Sequence, residues 1–248
     1  MRLDPQGIGG EGAAWPGAGS VVPRLRALDV PVRAVVLPLL DQEAAAQLHG
    51  AAVARLGALL GEGSVWWQDP ALYHATVFHA STQGAPVAAS AAEVAAEAAA
   101  VARAAGGTCP VRAVLERVVA TANGVLVACW QVQSGSGEPE ELRARLRAAL
   151  PRAPPPGAQA VRDPSVLHTT IARLLAPPRR PSARGSGGGG LGRPGAEVAA
   201  AVLGPEVARA AAEMTQELCG LSAVFDELWW ALGWDRDAGG GQTFRVKG

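Results

Sequence analysis

VRAVLERVVATANGVLVACWQVQ, running from Val111 to Gln133, decides the fold class. Two β-rich runs, Val111–Thr121 and Val125–Gln133, flank Ala122-Asn123-Gly124. Asn-Gly is the strongest short hairpin cue, because both residues tolerate positive φ. A tight turn joins antiparallel neighbours, whereas parallel strands need a long crossover. The stretch therefore predicts antiparallel sheet. Helical and extended segments alternate around it, and together they predict an α+β fold rather than a doubly wound parallel one.

Toward the N-terminus, Ala91–Ala105 is an Ala-rich helix closed by Gly106-Gly107. Val65–Gln68 and Leu72–Ser81 are extended segments split by the Asp69-Pro70 turn signal. Asp41 resembles a helix N-cap, and QEAAAQLHGAAVARLGALL after it carries apolar residues at helical spacing up to Gly61. Val32–Leu40 is a strand in which Pro38 marks an edge or a boundary. Residues 1–30 are rich in Gly and Pro and read as a flexible arm before a folded region spanning 31–248.

Toward the C-terminus, a helix is expected from Pro139 to Leu150, with Arg143, Arg145 and Arg147 on a solvated face. Ser165–Leu175 is another β-branched run. The segment 177–195 is low in complexity and too poor in apolar residues to pack, so a disordered loop is expected there. A long helix, roughly Ala196–Cys219, is broken near Gly204-Pro205, and strands follow at Ser222–Leu232 and Gln242–Val246.

Composition narrows the function classes. Lys plus Arg and Asp plus Glu are 22 each, so the formal charge is zero. That argues against a protein that grips extended nucleic acid by charge alone, and leaves a small nucleotide or one RNA end as possible partners. Three cysteines, Cys109, Cys129 and Cys219, form no CxxC pair and no zinc-ligand spacing, which suggests buried reduced thiols and no metal centre. No uninterrupted apolar stretch is long enough for a membrane span, and the first residues lack a signal-peptide core. A soluble monomer is the expectation, in the cytoplasm or, as the alternative, in an organelle.

Two of the four histidines begin the same local pattern. His74 stands in ALYHATVFHAS and His168 in SVLHTTIARLL, each followed two positions later by a threonine, Thr76 and Thr170. On a strand, residues i and i+2 share a face and lie roughly 6.6 Å apart, so a His and a Thr so spaced can face one bound group. The copies stand 94 residues apart (positions 74 and 168), about half of a two-lobed domain, as an internal duplication would give. Imidazole titrates near neutrality, and cleaving a phosphoester needs one base and one acid on opposite sides of phosphorus. Threonine hydroxyls can donate to the non-bridging oxygens. A single His-x-Thr is most simply a half-buried strand histidine. The pair, both in β-like runs, favours catalysis.

With these motifs the chain resembles the 2H phosphoesterases, named for two His-x-Thr/Ser motifs. The contexts YHATVFHAS and LHTTIARLL are similar to the plant and algal branch described as RNA ligase or cyclic nucleotide phosphodiesterase-like. The resemblance implies a bilobal α+β fold, two pseudo-symmetric lobes with antiparallel sheets around a central groove. It implies hydrolysis, without metal or cofactor, of 2′,3′-cyclic phosphates or related phosphodiester bonds of nucleotides and RNA ends. It also implies His74 and His168 as the catalytic pair, with Thr76 and Thr170 binding phosphate.

Other residues are read as structural. His79, five positions after His74, faces away from it on a regular strand, and Arg173 lies off the Thr170 face by the same logic. His49 is an exposed helical residue. Of Trp66 and Trp67, and of Trp229 and Trp230, one ring each belongs in the core, and a base-stacking role is the lesser reading. The Gly-rich stretch 186–190 is no phosphate cradle. Two rivals remain: a module that binds nucleotides or RNA ends without turning them over, and a His-based metal protein.

Overall fold

The computed structural model describes residues 28–60, 63–161, 163–175 and 204–232, with the backbone of three short strands at 2–3, 25–26 and 242–245. The expected loop at 177–195 and the first turns of the last helix lie outside the described residues. The N-terminal strands, β1 (Arg2–Leu3) and β2 (Leu25–Arg26), pair with each other.

The rest of the described chain builds one antiparallel sheet and four helices. In chain order they are β3 (Arg33–Pro38), α1 (Gln42–Leu60), β4 (Val65–Trp67), β5 (His74–Ser81), α2 (Ala91–Ala105), β6 (Val111–Ala120) and β7 (Val125–Val132). There follow α3 (Pro139–Ala149), β8 (Leu167–Leu174), α4 (Pro205–Glu217), β9 (Ser222–Phe225), β10 (Glu227–Leu232) and β11 (Gln242–Arg245). The strand order is β11-β10-β3-β5-β8-β7-β6-β9, with β4 paired to β8 off this path. The sheet curls into a nearly closed, barrel-like form.

The Val111–Gln133 hairpin forms as expected, although its turn differs in detail. Of the three loop residues only Gly124 takes positive φ, at 78°, and no non-glycine residue does among the described residues. Thr121 closes a three-residue loop, its amide donating to the Val125 carbonyl at 2.8 Å and its hydroxyl accepting from the Val125 amide at 3.0 Å. A three-residue loop needs just its last residue in the left-handed region, which is where glycine stands. The first helix starts at its expected cap, with the Asp41 carboxylate accepting from the Glu43 and Ala44 amides. Ser90 and Glu93 form a reciprocal capping box on α2.

The sheet divides into two four-stranded halves, β11-β10-β3-β5 and β8-β7-β6-β9, which meet where β5 pairs β8 through one residue pair, Ala75 with Thr169. Helices α2 and α3 pack together, α3 against β5 and α2 against β10, while α1 and α4 pack together beside β6 and β8. One sheet face is thereby sealed. Val35, Leu37, Ala75, Leu126, Ala128, Leu167, Ile171 and Trp230 lie on it inside one core cluster. The opposite face lines the groove of the barrel-like sheet. The bilobal arrangement implied by the resemblance is present, and each half contributes one motif strand to the junction.

Several side chains depart from the sequence reading. The arginines of α3 are not a solvated face. Arg143 is buried, Arg145 donates to Thr108 Oγ1 at 2.8 Å, and Arg147 lies 4.6 Å over the Phe78 ring. The solvent face of this helix is formed by Glu140, Glu141, Ala144 and Ala148 instead, and the arginines on its inner sides become packing material. The three cysteines are free, but Cys109 and Cys219 are exposed and Cys129 is half-buried, so the expectation of buried thiols fails for two of them. No described helix is long and apolar enough to cross a membrane.

Candidate active site

The register at the junction of the halves assembles the two motifs. Ala75 is opposite Thr169, so one step to either side sets His74 across from Thr170 and Thr76 across from His168. Directly opposed residues in antiparallel strands point to the same face. All four side chains therefore stand on the groove face as a two-by-two grid, with the histidines on one diagonal and the threonines on the other. Burial follows the same alternation. His74, Thr76, His168 and Thr170 are half-buried, while Ala75, Val77, Leu167 and Thr169 between and beside them are buried. Thr169, the middle residue of His-Thr-Thr, is a core residue whose hydroxyl accepts from Trp130 Nε1 at 3.0 Å.

His74 Nδ1 lies 2.9 Å from the Leu72 carbonyl. A carbonyl only accepts, so the proton sits on Nδ1, and Nε2 carries a lone pair whenever the ring is neutral. Burial pushes the His74 pKa down, the Leu72 hydrogen bond opposes this, and the charge of His168 adds to the lowering. That contribution marks His168 as an electrostatic neighbour of His74. His168 is also held below the ordinary imidazole value, by burial first and by the Arg143 guanidinium second.

Regular alternation ends just after each motif. Val36 pairs with Thr76 and Val35 with Phe78, so Val77 is an extra residue in β5. Val127 pairs with Thr170 and Leu126 with Ala172, so Ile171 is an extra residue in β8. Each bulge inverts the face of everything beyond it. His79 pairs with Ala34 and Arg173 with Val125, which returns both to the groove face. The expectation that His79 and Arg173 point away from the motif residues is thus overturned. It assumed an unbroken period of two, and a single inserted residue reverses it. His79 and Arg173 stand at the same offset, five residues beyond His74 and His168.

The bulge carbonyls are both held. Gln68 donates its backbone amide to the Ile171 carbonyl at 3.0 Å. The Val77 carbonyl accepts from Arg143 Nε at 3.0 Å, and Arg143 also donates to the carbonyls of Pro164 and of Val166, the latter at 2.8 Å. Arg143 thereby ties the bulge behind the first motif to the chain leading into the second. Sequence reading missed it, and the only available signal was its place on the same helical stripe as Leu142 and Leu146.

The tryptophan pairs split as expected. Trp67 pairs with Ala172 and packs against the core, with its ring edge-on to His49 at 6.0 Å. Trp66 pairs with Arg173 on the groove face. Trp230 is fully buried, and Trp229, half-buried beside Val36, donates its Nε1–H to Glu227 at 3.0 Å. His49 is half-buried rather than exposed, its Nδ1 lying 3.3 Å from the Tyr73 hydroxyl. Among the described residues, no group of three or more His, Cys, Asp or Glu is placed to hold a metal ion.

No family model matches the chain, and no curated protein matches it. Among solved structures it is similar to E. coli LigT complexed with phosphate, at 13% identity and a TM-score of 0.46, covering 88% of this chain and 96% of that one. It is similar to Kluyveromyces marxianus Usb1 with uridine monophosphate, at 14% identity and a TM-score of 0.49, covering 86% and 98%. It is likewise similar to TT0787 of Thermus thermophilus, at 16% identity and a TM-score of 0.49, covering 87% and 95%.

Proposed function

We propose that this chain is a phosphodiesterase that hydrolyses 2′,3′-cyclic phosphates, or related phosphodiester bonds, of nucleotides or RNA ends by paired histidine acid–base catalysis. The observation that carries the reading is the grid at the junction of the halves, with two imidazoles on one diagonal and two hydroxyls on the other. In-line displacement at phosphorus brings the attacking oxygen in opposite the leaving oxygen, so base and acid must flank the phosphate from two sides. A diagonal pair meets that demand, and the threonine hydroxyls on the other diagonal suit the non-bridging oxygens. The resemblance of YHATVFHAS and LHTTIARLL to the 2H phosphoesterases supports the same chemistry.

In this reading His74 is the base. Its Nδ1–H is bound to the Leu72 carbonyl, which fixes the tautomer whose Nε2 carries the lone pair a base needs. Water gives a proton to Nε2 as its oxygen bonds to phosphorus. The bond from phosphorus to one ribose oxygen breaks, and His168 supplies the proton that this oxygen takes up. The product is a 2′- or 3′-phosphomonoester, and transfer between the two rings through solvent restores the starting state.

The reading is tested with a panel of 2′,3′-cyclic nucleotides and short RNAs with cyclic ends, resolving 2′- from 3′-phosphate product. Because both imidazoles are held below the ordinary value of 6.5, kcat/KM should be bell-shaped with its maximum on the acid side of that value. A substrate whose leaving oxygen is replaced by sulfur needs no acid. Activity on it should return to His168→Ala and not to His74→Ala. Return to His74→Ala alone would reverse the roles, and no hydrolysis of any panel member by the wild type would end the proposal.

A further inference from the structure

His79 is the one groove-face histidine that the proposed reaction does not use, and several independent features converge on it. The strand is irregular on both sides of it, with register shifts between Val35 and Val36 and between Arg33 and Ala34 on the paired strand. Its backbone is clamped by one side chain, Gln159, whose Oε1 accepts from the His79 amide at 2.9 Å and whose Nε2 donates to the His79 carbonyl at 3.0 Å. Gln159 is itself nearly buried and further tied to the Pro154 carbonyl. The position of this ring is therefore determined with some expense of structure.

The ring itself has no hydrogen-bond partner among the described residues. Nδ1 is sealed from solvent and unpartnered, which leaves Nε2 as the accessible nitrogen of a half-buried ring. An orphaned N–H costs more than an orphaned lone pair, so the proton belongs on Nε2, pointing out of the protein. Burial, with a smaller contribution from the charge of His74, pushes the His79 pKa down to about 4. The ring is therefore neutral near pH 7. A phenylalanine or leucine would fill the same space without an unsatisfied nitrogen, so a histidine here points to a use.

The neighbours of His79 across the sheet are small as well. The row of side chains that includes His79 continues across the sheet as Ala34 and Ala231. The neighbouring row holds Thr76, Val36 and Trp229. One face-step along β5 separates Thr76 from His79, roughly 7 Å, about the width of one sugar. A phosphate held at the grid would carry its nucleoside into this row. A donor that stays neutral above about pH 4 suits an uncharged acceptor, since an anion would be served better by arginine or lysine.

We propose that His79 is a substrate-binding residue that donates its Nε2–H to an uncharged oxygen, a sugar hydroxyl or base carbonyl, of the nucleoside joined to the phosphate. The proposal rests on the phosphoesterase reading of the grid and adds a specificity contact to it. The test is binding of two probes, inorganic phosphate and adenosine 2′- or 3′-monophosphate, measured by calorimetry on the full chain. His79→Phe should leave the Kd for phosphate unchanged and weaken the nucleotide about three- to tenfold, the effect of losing one neutral hydrogen bond. His79→Gln, whose amide N–H reaches the place of Nε2–H, should restore most of it. In the wild type, the His79 Nε2–H resonance should move on adding nucleotide and not on adding phosphate, and this readout needs no variant to fold. Equal loss of both probes in His79→Phe, undiminished nucleotide binding, or a resonance indifferent to nucleotide would overturn the proposal and leave the grid intact. Failure of the wild type to bind either probe would instead overturn the phosphate site, and this contact with it.

Discussion

Strands β5 and β8 carry the same device built in two ways. Each runs His, buried residue, Thr, bulge, buried residue, and then a polar side chain returned to the groove. In β8 the bulge carbonyl of Ile171 is satisfied by a neighbouring backbone amide, that of Gln68, and the returned residue is Arg173. In β5 the bulge carbonyl of Val77 is satisfied by a buried arginine from a helix, and the returned residue is His79. The halves therefore share the geometry of the grid and differ in what supports it and in what lies beyond it. One end of the groove offers a permanent cation beside Trp66, the other a neutral ring beside two alanines. A substrate with a charged end and an uncharged end would be oriented by that difference alone.

The largest expected effects fall on what the halves share. His74→Ala and His168→Ala should each lower kcat by about 10²- to 10⁴-fold, as removal of an acid or base does, with little change in thermal stability. A steady-state assay on a cyclic nucleotide checks this. Retention of full activity in either variant would break the equivalence of the two motifs.

Next in size is the support that only β5 has. Arg143→Met leaves three carbonyls, those of Val77, Pro164 and Val166, without their donor inside the protein. Each orphaned group costs on the order of 1 kcal/mol or more, partly recovered by relaxation and water, so denaturant unfolding should show a loss of about 2–4 kcal/mol. Arg143→Lys should rescue little, because a single ammonium cannot reproduce a fork aimed at separate carbonyls. The His168 pKa should rise in Arg143→Met as the nearby positive charge goes, a shift that histidine NMR would detect.

The returned residues also predict different acid sensitivity for the halves. The pKa of His79 is about 4 in the folded protein, against an ordinary 6.5. A base whose folded pKa is depressed contributes its stabilisation fully above the unfolded value and loses it as pH falls from 6.5 toward 4. Wild-type stability should decline across that window by up to about 3 kcal/mol from this group, and His79→Phe should flatten the decline. Arg173 keeps its charge throughout the window, and Arg173→Met should leave the slope as it is.

How much of this was legible in the sequence depends on range. The Val111–Gln133 hairpin, the Asp41 cap and the alternation within His-x-Thr are local, and each follows from a few adjacent residues. The approach of β5 to β8 was legible only as a consequence of the repeated motif, since nothing near His74 encodes a partner 94 residues away. The bulges were not legible. Val77 and Ile171 are ordinary β-branched residues, and what makes them extra is a carbonyl that finds Arg143 or Gln68 from elsewhere in the chain. Missing them misplaced both His79 and Arg173. Arg143 was misread for a related reason, because an arginine on a helix reads as solvated until the carbonyls it reaches are known.

The smallest expected effect separates the two kinds of support most sharply. Gln68 holds the Ile171 bulge through its main chain, so Gln68→Ala removes a side chain the bulge does not use. Its cost should stay within about 0.5 kcal/mol, the ordinary range for a substitution away from special features, and the kinetics should not change. A backbone donor tolerates almost any residue, whereas a side-chain donor tolerates one. The β8 device can therefore keep its geometry while Gln68 varies, and the β5 device is committed to arginine at 143. A Gln68→Ala variant that lost as much stability as Arg143→Met would show that both bulges depend on side chains, and the proposed asymmetry between the halves would be gone.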